Sequence, residues 1–226
     1  MKVKATLGRR LAAEGLGTAF LLAVVIGSGI MGERLSEGND AIALLANSIA
    51  TGCGLAALIL AFGPVSGAHF NPAVTLAAAA QRVFPWKEVF PYIAIQILAA
   101  YAGVAAAHLM FEEPLFFVSV KIRSGPAQLW SEGVATFGLL TVLSACVRGR
   151  TAASPFAVAA YITAAYWFTA STSFANPAVT LARAASNTFA GIRPGDAPAF
   201  IAAQLVGAAA ATFVMRWLLV PPERSG

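Results

Sequence analysis

The segment "NPAVTLA" occurs twice in the chain, at residues 71–77 and again at residues 176–182. The first copy stands in "SGAHFNPAVTLAAAAQR" and the second in "STSFANPAVTLARAASN". Seven identical residues recurring 105 positions apart (176 − 71) indicate an internal repeat. Asn is a favoured N-cap and Pro is favoured in the first helical turn, so each copy predicts a helix start. The residues at these starts are Asn71, Pro72 and Ala73, and Asn176, Pro177 and Ala178.

The composition indicates a membrane protein. Of the 226 residues, 58% are hydrophobic and 11% are charged, and the mean hydropathy is +0.74. A soluble domain carries roughly 25% charged residues, so this chain has too few to cover a water-facing surface. The net charge of +5 could suggest nucleic acid, but the basic residues are scattered among apolar spans. We therefore expect a lipid bilayer as partner, and no nucleic acid.

Six apolar stretches are long enough to cross a bilayer, which takes about 20 residues. They lie at about 11–31, 41–62, 89–110, 127–147, 152–170 and 198–220. The sequence therefore predicts an all-α membrane protein with both termini on the same side.

The lysines and arginines predict which side that is. Ten would lie on the side of the termini: Lys2, Lys4, Arg9, Arg10, Arg82, Lys87, Arg148, Arg150, Arg216 and Arg224. Five would lie on the opposite side: Arg34, Lys121, Arg123, Arg183 and Arg193. The positive-inside rule then predicts a multi-pass protein of the inner (plasma) membrane with both termini in the cytoplasm.

The repeated segments fall outside all six spans. A ten-residue helix is about 15 Å long and cannot cross a hydrocarbon core of about 30 Å, but two placed end to end can. With three spans in each half, the halves are inverted, so the two short helices would start near the midplane. Their positive ends would repel protons and cations there, and Asn71 and Asn176 could each offer an amide donor to a passing oxygen. The alternative is that each segment is only a well-capped helix.

Other parts of the two halves also match. "EGLGTAFLL" from Glu14 resembles "EGVATFGLL" from Glu132, and Gln96 and Gln204 each adjoin a ridge of small residues. We expect one domain over residues 1–226, built from inverted repeats at about 8–112 and 125–220. A buried carboxylate is costly. Glu14 and Glu132 could relay protons or accept backbone N–H groups from the re-entrant loops, and their symmetric placement favours the structural role.

These features together resemble the aquaporin, or major intrinsic protein, family. The resemblance rests on both Asn-Pro-Ala motifs, the "SGAHFNPAVTL" context, the paired glutamate helices and the six-plus-two helix layout. It implies a homotetramer with one pore in each subunit, passive flux, no catalytic residues and no cofactor. Consistent with this expectation, we find no nucleophile–base pair in the sequence and no histidine with partners at metal-ligand spacing.

The resemblance also implies which residues select the solute. By counting from the motif asparagines, the narrow outer ring falls on Thr51, Ala164, Ser173 and Val179. Water-selective relatives carry Phe, His, a small residue and Arg at these places. The ring here is made of small residues and lacks the arginine, so we expect a wide filter. His69 would line the cytoplasmic half of the pore.

This ring resembles a bacterial aquaglyceroporin subgroup associated with arsenic resistance. The expected solutes are small, polar and neutral: water, glycerol-like polyols, and arsenous acid or methylated arsenicals. A generic water and glycerol channel is the alternative, and a proton-coupled secondary transporter is a more distant one. Arg183, one turn beyond Val179, could form a displaced positive collar. Otherwise it could snorkel to the interface or pair with Asp196.

Overall fold

A computed structural model describes residues 5–149 and 151–219 of the chain. Lys2, Lys4, Arg150 and Arg224, both chain ends and residue 220 lie outside the described residues. The α-helices are α1 Leu7–Leu35, α2 Asp40–Ser66, α3 Pro72–Ala80, α4 Val89–Met110, α5 Pro126–Gly149, α6 Ser154–Phe168, α7 Pro177–Arg183 and α8 Ala197–Leu219. Short 3₁₀ turns at Trp86–Glu88 and Thr151–Ala153 precede α4 and α6.

Six long helices and two short ones confirm the predicted fold class, and the described residues contain no strand. By length and apolar composition, five of the long helices could cross a membrane. The sixth, α6, has only 15 residues. At 1.5 Å per residue, α6 is about 22 Å long. The 3₁₀ turn before it adds about 6 Å, so the pair nearly spans the bilayer.

The helices form two sets of four in the same order. In the first half, α1 packs against α2 and α4, and in the second half α5 packs against α6 and α8. Contacts between α2 and α6 join the halves. Ion pairs tie α1 to the α4 region at both ends, Arg10 with Glu88 at 2.7 Å and Arg34 with Glu113 at 2.9 Å. We call these two sides of the molecule the Arg10 face and the Arg34 face.

The predicted ridges of small residues allow close helix packing, as expected. A Cβ atom on Gly103 of α4 would lie 2.1 Å from the carbonyl oxygen of Ala19 in α1. A Cβ atom on Gly207 of α8 would lie 2.3 Å from the carbonyl oxygen of Gly133 in α5. Glycine is therefore required where the long helices cross in each half, although the crossing lies one helical turn apart in the two halves: Gly103 is seven residues after Gln96, and Gly207 is three residues after Gln204.

The two short helices, α3 and α7, follow the loops after α2 and α6. α3 has 9 residues and α7 has 7, so they are about 13 Å and 10 Å long. α7 ends at Arg183. Its last turn tightens when Ala184 N–H bonds the carbonyl of Leu181 at 3.2 Å, and Ile192 N–H then bonds the carbonyl of Arg183 at 3.4 Å. These bonds fold the following loop back over the end of α7.

Candidate functional site

A cavity of about 720 Å³ passes through the middle of the molecule. Its wall includes Pro64, near the end of α2 on the side of the Arg10 face. It continues past Asn71 and Asn176 and reaches Arg183 at the end of α7. One cavity therefore connects the two repeated segments and extends towards both faces.

The two motif asparagines hold each other's loops in place. The side-chain amide of Asn71 donates to the carbonyl of Ala175 at 2.8 Å, and that of Asn176 donates to the carbonyl of Phe70 at 2.8 Å. Their Oδ1 atoms accept N–H groups of their own helices, that of Ala73 at 2.8 Å and that of Ala178 at 3.0 Å. Each amide has a second N–H without a partner among the described residues, and both side chains lie at the cavity wall.

The residues before the asparagines adopt an unusual backbone conformation. Phe70 has φ 48° and Ala175 has φ 47°, in the left-handed region that non-glycine residues rarely occupy. This conformation presents their carbonyls to the opposite asparagine. Such strain persists only where the surroundings hold it.

Two buried carboxylates hold these turns. Glu14 accepts N–H groups from His69 at 2.9 Å and Phe70 at 2.8 Å. Glu132 accepts N–H groups from Phe174 at 2.8 Å and Ala175 at 2.9 Å. Both glutamates are fully buried. These are the contacts expected of a structural carboxylate.

A glutamine and a threonine extend this network in each half. Gln96 donates to Glu14 at 2.9 Å and to Thr75 at 3.1 Å. In the second half, Gln204 donates to Glu132 at 2.6 Å and to Thr180 at 2.9 Å. Each network thus connects a long helix, a half-helix and the turn between them.

The electrostatics of the centre follow from the two helix starts. α3 and α7 both begin there, so their partial positive ends point at the same part of the cavity. In a low-dielectric surrounding, this field disfavours a cation or an excess proton. An uncharged solute with an oxygen acceptor can instead bond the spare amide N–H groups.

Three of the four predicted ring residues line the cavity: Thr51, Ser173 and Val179. The fourth, Ala164, is exposed on α6 and is not among the residues that line the cavity. The count back from Asn176 assumed a fixed loop length, and α6 ends at Phe168. The face of α6 that lines the cavity carries Tyr166.

Tyr166 makes the ring less open than predicted. Its hydroxyl lies 3.2 Å from Oγ1 of Thr51, so these two side chains close the wall between α2 and α6. Ser173 is buried, and its hydroxyl has no partner among the described residues. A sequence signal for Tyr166 existed, because Val158, Ile162 and Tyr166 recur every four residues along one helix face.

His69 also lines the cavity, between Asn71 and the Arg10 face. Its Nδ1 lies 3.1 Å from Oγ1 of Thr75, and its ring packs edge-on against Phe84 and at a tilt to Tyr92. These contacts hold the imidazole against one wall. No group of three His, Cys, Asp or Glu residues in the described part of the chain is arranged to hold a metal ion.

Arg183 lies at the other end of the cavity. It is 2% exposed, its Nε donates to the carbonyl of Ala190, and its guanidinium stacks on the Phe174 ring at 3.4 Å. It therefore neither snorkels to the interface nor pairs with Asp196. The carboxylate of Asp196 binds Arg193 instead, at 2.7 Å.

Comparisons with known proteins agree with this architecture. The sequence model of the family described as "Major intrinsic protein" matches residues 1–160, so the match ends before the second Asn-Pro-Ala segment. Aquaglyceroporin AqpS of Rhizobium meliloti is 55% identical over 215 residues, which are 95% of this chain and 92% of the relative. Aquaporin NIP2-3 of Zea mays is 34% identical over 194 residues, 82% of this chain and 63% of the relative.

A solved structure shares the fold. The X-ray structure of the aquaglyceroporin from Plasmodium falciparum superposes with a TM-score of 0.72, covering 95% of this chain and 98% of that one. The two sequences are 18% identical, so this likeness concerns the fold alone.

Proposed function

The chain belongs to the major intrinsic protein family, whose members are membrane channels rather than enzymes, and we propose that it conducts small uncharged polyols such as glycerol together with water. The observation that carries this proposal is the single cavity that contains both motif asparagines. Each asparagine keeps an amide donor at the wall, beside a converging pair of helix starts. A hydroxylated solute can pass this point by exchanging one hydrogen bond for another.

The ring near the Arg34 face supports a solute larger than water. Thr51, Tyr166 and Ser173 offer hydroxyl groups, while Val179 and the Tyr166 ring offer apolar surface. A polyol has hydroxyls along one edge and carbon along the other, so it matches such a mixed wall. Val179 stands where many relatives have an arginine, which leaves the ring without a fixed charge at that level.

Arsenous acid is the finer form of this proposal. It is uncharged near neutral pH and carries three hydroxyls, so it is similar to glycerol in size and hydrogen bonding. Methylated arsenicals add apolar surface that Val179 and Tyr166 could contact. The resemblance to an arsenic-associated subgroup motivates both solutes.

The remaining assignments belong to the same proposal. Asn71 and Asn176 bind the solute at the centre, and Glu14 and Glu132 hold the loops. The repeats at about 8–112 and 125–220 form one channel domain, the chain is a homotetramer, and the Arg10 face is cytoplasmic. The tetramer can be tested by native mass spectrometry, and the orientation by protease access in sealed vesicles.

A proton-coupled transporter is the rival function. Each carboxylate of the two networks is already engaged, Glu14 by four hydrogen bonds and Glu132 by three. These hydrogen bonds hold the turns beside Asn71 and Asn176, so both carboxylates already have a structural role. We therefore favour passive flux.

Stopped-flow measurements on proteoliposomes test the function directly. Glycerol and arsenous acid should enter these proteoliposomes faster than they enter liposomes without protein. The rates should rise linearly with the solute concentration gradient and should not change when a pH difference is imposed across the membrane. The same vesicles tested with sucrose provide the control for leakage. Flux of water alone would refute the polyol proposal, and flux driven by a proton gradient would favour the transporter.

A further inference from the structure

Three basic side chains reach one short stretch of backbone at the Arg34 face. Lys121 donates to the carbonyl of Phe189 at 2.8 Å, Arg183 to that of Ala190, and Arg123 to that of Gly191 at 2.8 Å. The acceptors are three consecutive carbonyls of the loop that follows α7. We call these three side chains the basic triad.

No carboxylate forms an ion pair with the triad, although Glu33 accepts the N–H of Phe189 in the same loop at 3.2 Å. Among residues 5–149 and 151–219, none of its three members forms an ion pair. Asp196 accepts the backbone N–H of Arg123 at 2.9 Å, but its carboxylate is paired with Arg193. Carbonyl dipoles stabilise a cation without cancelling its charge, and the nearby carboxylates of Glu33 and Glu132 are bound to backbone N–H groups.

Two members of the triad pack against the same aromatic ring in the protein interior. The guanidinium carbons of Arg183 and Arg123 lie 3.4 Å and 5.0 Å from the centre of the same Phe174 ring. Arg183 is 2% exposed and Arg123 is 8% exposed. Two like charges in such a place repel each other more than they would in water, and a bound anion would relieve that repulsion.

Two side chains with unused donors belong to this end of the cavity wall. The two terminal nitrogens of Arg183 have no partner in the described part of the chain, and Arg183 lines the cavity. The hydroxyl of Ser173 is buried at the same wall and also has no described partner. A guanidinium edge and a hydroxyl are suitable donors for an oxyanion.

We propose that Arg183, supported by Arg123 and Ser173, forms a binding subsite for a small oxyanion at the Arg34 end of the cavity. The site is distinct from the central asparagines, because Arg183 is seven residues along the helix from Asn176, or about 10 Å. We expect an anion in this site to obstruct the solute path, and that expectation rests on the proposed channel function. Binding of the anion does not depend on the channel function.

Binding to the purified protein tests the site without any flux measurement. Inorganic phosphate should raise the thermal unfolding temperature more than chloride at matched ionic strength, and calorimetry should give its affinity. Arg183→Met should weaken phosphate binding about tenfold or more, since a hydrogen bond to a charged group contributes about 1.5–3 kcal/mol. The matched control is Arg34→Met, which removes an equal charge from the same face outside the cavity.

Arg183→Lys guards against a variant that fails to fold. Lysine keeps the charge but lacks the second terminal donor, so its phosphate affinity should fall between those of the wild type and Arg183→Met. Equal affinity in the wild type and Arg183→Met, or equal losses in Arg183→Met and Arg34→Met, would overturn the proposal. The proposal would also be overturned if phosphate stabilised the wild type no more than chloride does, since that result would show a general salt effect only.

Flux in the wild-type protein gives a second, independent test. Phosphate added at the Arg34 face should slow glycerol entry at least twofold, while phosphate added only at the Arg10 face should have a smaller effect. Equal inhibition from both sides would contradict a site at Arg183. If glycerol does not pass at all but phosphate binding depends on Arg183, the channel proposal fails and the binding site stands.

Discussion

The two halves of the molecule have the same framework but differ where the cavity leaves the centre. Glu14, Gln96 and Thr75 repeat as Glu132, Gln204 and Thr180, with the same hydrogen bonds. The same offset that pairs Asn71 with Asn176 pairs residue 78 with residue 183. Residue 78 is an alanine at the cavity wall, whereas residue 183 is the buried arginine of the basic triad.

A second pair of positions differs in the same direction. The carbonyl of Ser66 accepts the Tyr92 hydroxyl at 2.9 Å, while the matching carbonyl of Ser171 accepts a guanidinium N–H of Arg123 at 3.1 Å. The donor to this carbonyl is thus a neutral hydroxyl in the first half and a cationic guanidinium in the second half. Residues that hold the inverted repeat together are therefore shared between the halves. Residues that set the charge where the cavity reaches the Arg34 face occur in the second half only.

The largest expected effect comes from the shared carboxylates. Glu14→Gln and Glu132→Gln each place an amide donor against backbone N–H donors, so each should lower the free energy of unfolding by about 3 kcal/mol or more. Glu14 accepts four hydrogen bonds and Glu132 three, so Glu14→Gln should cost more. Thermal unfolding in detergent measures both, with Glu113→Gln at the exposed ion pair as control.

The opposite result would restore the rival function. A Glu14→Gln protein that folds as well as the wild type but changes its response to a pH gradient would show that this carboxylate carries protons.

A smaller effect is expected at the two glycines where long helices cross. Gly103→Ala and Gly207→Ala each drive a methyl group into a backbone carbonyl of the facing helix, which should cost about 1–3 kcal/mol. Denaturant or thermal unfolding would measure the loss. Gly8→Ala, where nothing lies within 4 Å of the new methyl group, is the control. If either half tolerated the change, its helices would not approach each other as closely as we describe.

The smallest effect concerns the unshared loop. The hydrogen bond from Arg193, and then that from the backbone N–H of Arg123, hold the pKa of the Asp196 carboxyl below its ordinary value. The stability from this group is therefore present above the unfolded-state pKa of about 3.9 and is lost as the pH falls through the lower folded-state pKa.

Melting temperatures of the wild type and Asp196→Asn should therefore differ slightly above about pH 4 and converge below it. Asp40→Asn, on the same face without a described ion pair, serves as control. A difference that grew as the pH fell would contradict the assigned direction of the pKa.

Much of this organisation could be predicted from the sequence. The two Asn-Pro-Ala starts predicted the half-helices, because capping is local and independent of distant contacts. The roles of Glu14 and Glu132 could be framed from their symmetric positions, since an inverted repeat brings equivalent residues to equivalent loops.

Two features depended on loop geometry and could not be predicted in this way. Ala164 was placed in the ring by counting across the segment between α6 and Asn176, and the face that a helix presents changes by about 100° per residue. The environment of Arg183 depends on a loop that folds back over α7 and presents three carbonyls. Tertiary contacts of that kind leave no periodic pattern in the sequence.

The most direct test of the central claim is to block the cavity reversibly beside Asn71. Val74 lines the cavity, whereas the native Cys53 and Cys146 are not part of its wall. In proteoliposomes containing Val74→Cys, a methanethiosulfonate reagent should abolish glycerol flux and dithiothreitol should restore it, while the wild type should be unaffected. Glycerol flux that persists in the fully labelled variant would contradict conduction through this cavity.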